Sequence, residues 1–419
     1  MRQTIAKTWP LFFGIAMMMI GNGLQGTLLG VRATIEGFSV MTTGVIMSAY
    51  YVGFFLGSFY IPRIISSVGH IRVFAGLASL ASTTVLVHGI IVEPISWTLI
   101  RIFTGFSYAG LFLVVESWLN DASSNETRGK ILGVYMVVTY LGMALGQGLL
   151  NLASPDDIEL FVIISILVSL ALLPISLIKR PAPDFSVNET ISIKNIWKSS
   201  PLGIFGVTLA GFCSACIFAI GPVFALEIGL SNASISGFMA AFLIGCVICQ
   251  MPVAHVSDIM DRRKVIIVLA FASAVFTALL FIVSTMQIWI LFCVMALLGG
   301  ASLPIYGQCI SHVNDRLEPA QFVAASGTML LMNGAGAVVG PLSVTLIMQI
   351  FGVNGFVAIL VLVFLAIGAF GIYRSMKVKS VPLAEQGDSI IMPARGSAVL
   401  IAADDEALEE VSSSKKPSI

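Results

Sequence analysis

Ser117-Trp118-Leu119-Asn120-Asp121 recurs later in the chain as Ser311-His312-Val313-Asn314-Asp315, and the same offset carries Gly105 onto Gly299, Gly133 onto Gly327, Gly142 onto Gly336 and Gly146 onto Gly340. The shared positions are turn formers and small residues rather than the common Leu or Val. Matches of this kind at one fixed spacing point to an internal duplication. Whatever surrounds Ser117 to Asp121 is built twice.

The surroundings are apolar. Of 419 residues, 57% are hydrophobic and 11% charged, with a mean hydropathy of +0.98, where a soluble domain carries about 25% charged residues. A chain this apolar belongs in a bilayer, and crossing one as a helix takes about 20 apolar residues because only closed hydrogen bonding survives in lipid. Twelve such runs are present, near residues 9–31, 44–65, 73–92, 97–119, 130–152, 159–178, 203–226, 234–255, 265–285, 288–310, 322–348 and 355–373. The first is too long, and lacks the small-residue cleavage pattern, for a signal peptide. The longest internal loop, from Lys179 through Pro181, Ala182, Pro183 and Asp184 to about Ser200, falls after the sixth run. The expected fold is all-α: a polytopic membrane protein with 12 transmembrane helices in two pseudo-symmetric six-helix halves. Residues 1–178 form the first bundle, 179–202 the central cytoplasmic loop, 203–374 the second bundle, and 375–419 a disordered cytoplasmic tail with an acidic run at Asp404, Asp405, Glu406, Glu409 and Glu410.

Net charge is zero, with 22 Lys and Arg against 22 Asp and Glu, so it offers no hint of a nucleic-acid partner. Placement is more informative. With the amino terminus inside, every Lys and Arg except Arg32 and Arg101 falls in a cytoplasmic segment, which places both termini in the cytoplasm of a multi-pass plasma-membrane protein. No phosphate-binding loop, H-E-x-x-H or G-x-S-x-G pattern occurs, and no catalytic groups cluster at one depth, so an enzyme is not expected. Cys213 with Cys216 and Cys246 with Cys249 have C-x-x-C spacing. They lie within apolar runs without adjacent histidine, where cysteine acts as a small hydrophobe, and neither metal nor cofactor is expected.

Two six-helix halves around a central site is the plan of alternating-access carriers. Val114, Val115, Glu116 and Ser117, followed by Arg128, Gly129, Lys130 and the helix from Gly142 to Gln147, resemble the major facilitator superfamily, and within it the YcaD-like group, over residues 1 to about 374. The resemblance implies a secondary carrier that moves a small molecule by rocker-switch alternation, coupled to H+, with the monomer as functional unit. A facilitative uniporter and a non-transporting sensor of the same fold are the alternatives. The superfamily's loop signature, an acid with a turn glycine and basic residues, resembles Ala254, Asp258, Asp261, Arg262, Arg263 and Lys264. The earlier counterpart runs through Pro62, Ser66, Ser67, Gly69 and Arg72, with Ser66 where the acid belongs. By resemblance, Asp258 latches the cytoplasmic face against a neighbouring helix end; the plainer reading is a solvated basic loop that sets topology.

Arg101, in an R-x-x-x-G pattern with Gly105, either faces a cavity or snorkels to the outer surface. Glu116 lies about 22 Å further along the same helix at 1.5 Å per residue. It carries a proton, pairs at a cytoplasmic gate with Arg63 or Arg128 or in a purely structural contact, or is simply exposed at the interface. Uncharged polar residues within runs mark the candidate substrate path: Asn22 and Gln25 on the first, Tyr135, Tyr140 and Gln147 on the fifth, Tyr306 and Gln308 on the tenth, and Asn333 on the eleventh. Hydrogen bonding between helices competes with that role at each of them. Gly142-x-x-x-Gly146 and Gly336-x-x-x-Gly340-Pro341 read as close helix contacts.

Overall fold

The computed structural model describes residues 2–123, 125–176, 191–283, 286–318, 321–378, 380–387 and 389–390. These residues form α1 (Arg2–Ile35), α2 (Val40–Val68), α3 (His70–Ile90), α4 (Pro94–Asp121), α5 (Asn125–Gly148), α6 (Glu159–Ser176), α7 (Ile193–Ser199), α8 (Pro201–Glu227), α9 (Asn232–Ile259), α10 (Arg262–Val283), α11 (Ile288–Ser302), α12 (Pro304–Asn314), α13 (Phe322–Phe351) and α14 (Asn354–Lys377), with no β-strand among them. Eleven stretches are long and apolar enough to cross a membrane, and Glu159–Ile175 is a shorter apolar helix. Large apolar side chains such as Phe59, Ile248, Leu346 and Leu362 stand exposed on the outside. That is the arrangement for a protein whose solvent is lipid.

Helix ends are set locally. Ser39 starts α2 by accepting from Thr42 N–H at 3.0 Å, and Ser231 starts α9 in the same way from Ser234. Glu93 caps α4 by accepting from the N–H groups of Ile95 and Ser96, just before Pro94, which is suited to a first helical turn. Gly69, at φ +90°, separates α2 from α3, a conformation in which a Cβ would be strained. Here the expected turn glycine does its work.

The tenth apolar run is not one helix. It is divided at Leu303 into α11 and α12, because Pro304 has no N–H to continue the ladder. The central linker contains a short helix, α7, whose Trp197 stacks on Phe370 of α14; residues 177–190 lie outside the described set. The stretch read as a tail without structure also differs from that reading. Helix α14 takes in residues 375–377, and the backbones of Gly387, Ser389 and Ile390 are hydrogen-bonded to other helices or the turns after them, as set out below; residues 388 and 391–419 lie outside the described set.

Packing follows one scheme twice. Before the linker α2 packs on α4, α1 on α5 and α6, and α3 on α4 and α6; after it α9 packs on α11, α8 on α13 and α14, and α10 on α11 and α14. Contacts between the two sets run through α2 with α13, α5 with α9, and α1 with α8. Two of the duplicated glycines on α5 and α13 sit at close approaches of helix backbones. A Cβ on Gly146 would stand 2.2 Å from the Ile20 carbonyl of α1, and one on Gly336 would stand 1.9 Å from the Thr208 carbonyl of α8.

Candidate functional site

A small, partly open pocket lies where the two sets of helices meet. Helix α1 contributes Asn22, Gly23, Gly26 and Thr27, and α2 contributes Met47, Tyr50 and Tyr51. Arg101 comes from α4, Met143 and Gln147 from α5, Phe218 and Ala219 from α8, and Met239 from α9. Arg101 is buried rather than snorkelling outward. Its guanidinium lies 4.5 Å from the centroid of the Tyr50 ring, with one nitrogen 3.9 Å from the Met47 sulfur. A cation held against an aromatic face in a dry site is attracted by the ring quadrupole, by about 2 kcal/mol when desolvated.

The other sequence candidates divide into two groups. Asn22 lines the pocket beside Tyr108. Gln147 lines it too, but its side chain also binds helix to helix: its carbonyl accepts from Thr27 Oγ1 at 2.6 Å, and its amide donates to the Gly23 carbonyl at 2.9 Å. Gln308 accepts from Ser257 of α9, and Asn333 donates to the Val207 carbonyl of α8 at 3.2 Å. At those two positions the interhelical role is the one observed. Asn333 also borders a second cleft, with Tyr51, Phe54, Phe55, Ser58 and Ser214 among its walls. Gln25, Tyr140 and Tyr306 are buried but do not line the pocket. Sequence reasoning missed Thr27, Tyr50, Tyr51 and the apolar wall from α8 and α9. The adjacent tyrosines inside an otherwise apolar run were the signal available.

Glu116 is fully buried and accepts a hydrogen bond of 2.6 Å from the Tyr135 hydroxyl of α5. Tyr306, on the far side of the linker in sequence, lies within electrostatic reach of the same carboxylate. Arg63 is exposed on α2, and the ion pairs seen among the described residues do not include one between it and Glu116. The Arg128 side chain lies outside the described residues.

At the end of the bundle where α9 stops and α10 begins, Arg262 and Arg263 are buried, and only Lys264 is exposed as a solvated loop requires. Arg262 pairs with Asp315 at 2.5 Å and with Asp258 at 3.6 Å, and donates to the carbonyls of Ser311 and Gly387. Asp258 accepts from Ser389 N–H at 2.8 Å, Asp315 from Gly387 N–H at 3.2 Å, and Ser311 Oγ from Ile390 N–H at 2.9 Å. Asp258 is therefore held to Arg262, the first residue of the neighbouring helix α10, and to the backbone of Ser389. Arg263 chelates Asp261 and donates to the Val378 carbonyl at 2.6 Å. In the earlier loop His70 Nε2 hydrogen-bonds Ser117 Oγ at 3.0 Å, much as Arg262 meets Ser311, while Ser66 only bonds back to the Arg63 carbonyl. Burial raises the pKa of Asp315, and the adjacent Arg262 opposes that shift. Arg262→Gln should cost about 3 to 5 kcal/mol, the range for stranding one member of a buried pair, against little for Lys264→Gln. Thermal unfolding of the purified variants checks this.

Membrane-length helices around a polar pocket shared between two similarly packed sets define the class: a membrane transport protein. The chain belongs to the Major Facilitator Superfamily, whose family model matches residues 11–240 and 203–413. It is similar to the MFS-type transporter YcaD of Escherichia coli, with 25% identity over 82% of this chain and 89% of the relative. Among solved structures it resembles a mutant of the nucleoside transporter NupG, with TM-score 0.73 at 13% identity over 88% of this chain and 99% of that one. A bacterial homologue of the human lysosomal transporter Spinster, inward-facing and unoccupied, gives TM-score 0.72 at 12% identity over 92% and 98%.

Proposed function

We propose that the chain is a secondary carrier of twelve crossings in two six-helix halves, α11 and α12 together making one crossing and α6 another. It moves a small polar solute by rocker-switch alternation, with both termini on the cytoplasmic side of the plasma membrane. The observation that carries this is the pocket walled by Asn22, Tyr50, Arg101 and Gln147 on one side and by Phe218 and Met239 on the other. A site shared across the moving boundary is what alternating access needs. One fixed cation among neutral polar groups suits a solute with at most a single negative charge. A thermal-shift screen of purified protein against small solutes should identify it, followed by uptake in vesicles. Failure of every stabilising solute to move across vesicles would favour the sensor reading.

Proton coupling is assigned to Glu116. A buried carboxylate bonded to a neutral hydroxyl can hold or release a proton as its surroundings open and close, and Tyr306 lets the opposite half sense that charge. Glu116→Gln should abolish accumulation driven by a pH gradient while leaving solute exchange without a gradient. Uptake that is unchanged when the gradient is collapsed would instead define a uniporter.

The latch is assigned to Asp258, Arg262 and Asp315 together with Gly387, Ser389 and Ile390, which strap the cytoplasmic ends of α9, α10 and α12. Deleting the chain from residue 380 should speed exchange of solute from the cytoplasmic side, measured as a change in exchange rate in vesicles. An unchanged rate would remove the strap from the mechanism.

A further inference from the structure

We propose that a small, partly open cleft bounded by Ser200, Pro201, Leu202, Arg263, His312, Arg316, Arg374 and Val378 binds a phosphate group, whether a lipid headgroup or free phosphate. It is distinct from the substrate pocket, and the transport reading does not depend on it.

Four element ends converge there: the start of α8, the first turn of α10, the end of α12 with the turn after it, and the last turn of α14. Three guanidinium groups line the pocket and no carboxylate does. Arg263 is already held by Asp261 and the Val378 carbonyl, which leaves Arg316 and Arg374 as the donors for an incoming anion. The Arg316 Nε is buried with no hydrogen-bond partner among the described residues. Burial first, then the nearby Arg263 and Arg374 charges, lower the Arg316 pKa, with Asp261 and Asp315 opposing. That is the state of cations gathered with too little counter-charge.

The start of α8 adds a second line of observation. Ser200 occupies its N-cap position but makes no side-chain cap bond. The residue is 1% exposed, and its hydroxyl has no partner among the described residues although it borders this pocket. A buried donor left unmade is costly, and a phosphate oxygen would accept from it. The first N–H groups of a helix have no acceptor within it and carry the positive end of the helix dipole, so they favour an oxyanion at the same place. Guanidinium groups add paired donors matched to phosphate geometry. Trp197 stacked on Phe370, and Lys377 over the Tyr373 ring, lie near this end of the bundle. Aromatic residues of that kind mark headgroup depth.

The test uses the full chain purified in neutral detergent without phosphate. Unfolding temperature is followed with added inorganic phosphate at matched ionic strength, and separately in nanodiscs of phosphatidylglycerol against phosphatidylcholine. We expect a saturable rise with at least one probe, and loss of at least about tenfold in apparent affinity in the Arg316→Gln, Arg374→Gln double variant, as charged hydrogen bonds are removed. A response to phosphatidylglycerol alone assigns a lipid headgroup; a response to inorganic phosphate alone assigns a soluble anion. Ser200→Ala is the second variant should the double one fail to fold, and it should also weaken the response. No rise with either probe, or a rise that both variants retain in full, overturns the proposal.

Discussion

Gly299→Ala and Gly105→Ala should each destabilise the protein by about 3 kcal/mol, at the upper end of what overpacking costs, and Gly76→Ala should not. A Cβ on Gly299 would stand 1.8 Å from the Phe242 carbonyl of α9, and one on Gly105 would stand 1.9 Å from the Tyr50 carbonyl of α2. The facing helices return the contact: a Cβ on Gly245 would lie 1.8 Å from the Ala296 carbonyl, and one on Gly53 would lie 1.9 Å from the Ile102 carbonyl. The obstructing atom is backbone in every case, so no side-chain rotation relieves it. The helices must separate and lose close packing, which drives helix association where water is absent. Gly76, on α3, has nothing within 4 Å of its Cβ position, so alanine there should be neutral or stabilise by up to about 1 kcal/mol through helix propensity. Thermal unfolding in detergent separates the cases. Equal unfolding temperatures for Gly299→Ala, Gly105→Ala and the parent would mean the helices are not so close.

These paired contacts also explain how much was legible. Gly105 and Gly299 could be matched in sequence because both α2 with α4 and α9 with α11 need a residue without a side chain at one spot, and Leu or Val elsewhere is interchangeable. Helix positions followed from run length, because lipid leaves the backbone no alternative. The break at Leu303 did not follow, since hydropathy is insensitive to one missing N–H at Pro304. Glu116 and Arg101 stood out because charges are rare in apolar runs; Tyr135 was legible as a polar residue but not as the partner of Glu116, and Tyr50 was not legible at all, since a tyrosine in such a run reads as packing. Gln308 and Asn333 looked like lining residues and are seen to bind helices together, Asn333 while also bordering a second cleft; a polar group in lipid takes whichever partner is near. Arg262 and Arg263 read as solvated because basic loop residues usually are. Their burial depends on the Gly387 and Val378 carbonyls, far along the chain, and no local pattern announces a segment that folds back.

Arg101→Ala should weaken solute binding by about 10- to 100-fold, the worth of one charge-assisted hydrogen bond at about 1.5 to 3 kcal/mol, and Arg101→Lys should recover only part of it. The argument rests on where the cation is held. An arginine in a span costs at least about 2.5 kcal/mol, and this one is not drawn out to the surface but is kept over Tyr50, at 4.5 Å, in the pocket wall. Lysine would keep the charge, but it lacks the planar group that lies against the ring and the fork that can grip a carboxylate or a pair of acceptors. Tyr50→Leu should therefore lower affinity in the same direction, because the guanidinium loses the surface that orients it. Arg101 and Tyr50 in one double-variant cycle should then be non-additive, as residues acting through one contact are. Affinity measured by thermal shift for the solute found in the screen, together with uptake in vesicles, distinguishes this from a structural role. Parent-like affinity in Arg101→Ala, accompanied by a lowered unfolding temperature, would reduce Arg101 to a packing element and remove the reason for limiting the solute to one negative charge.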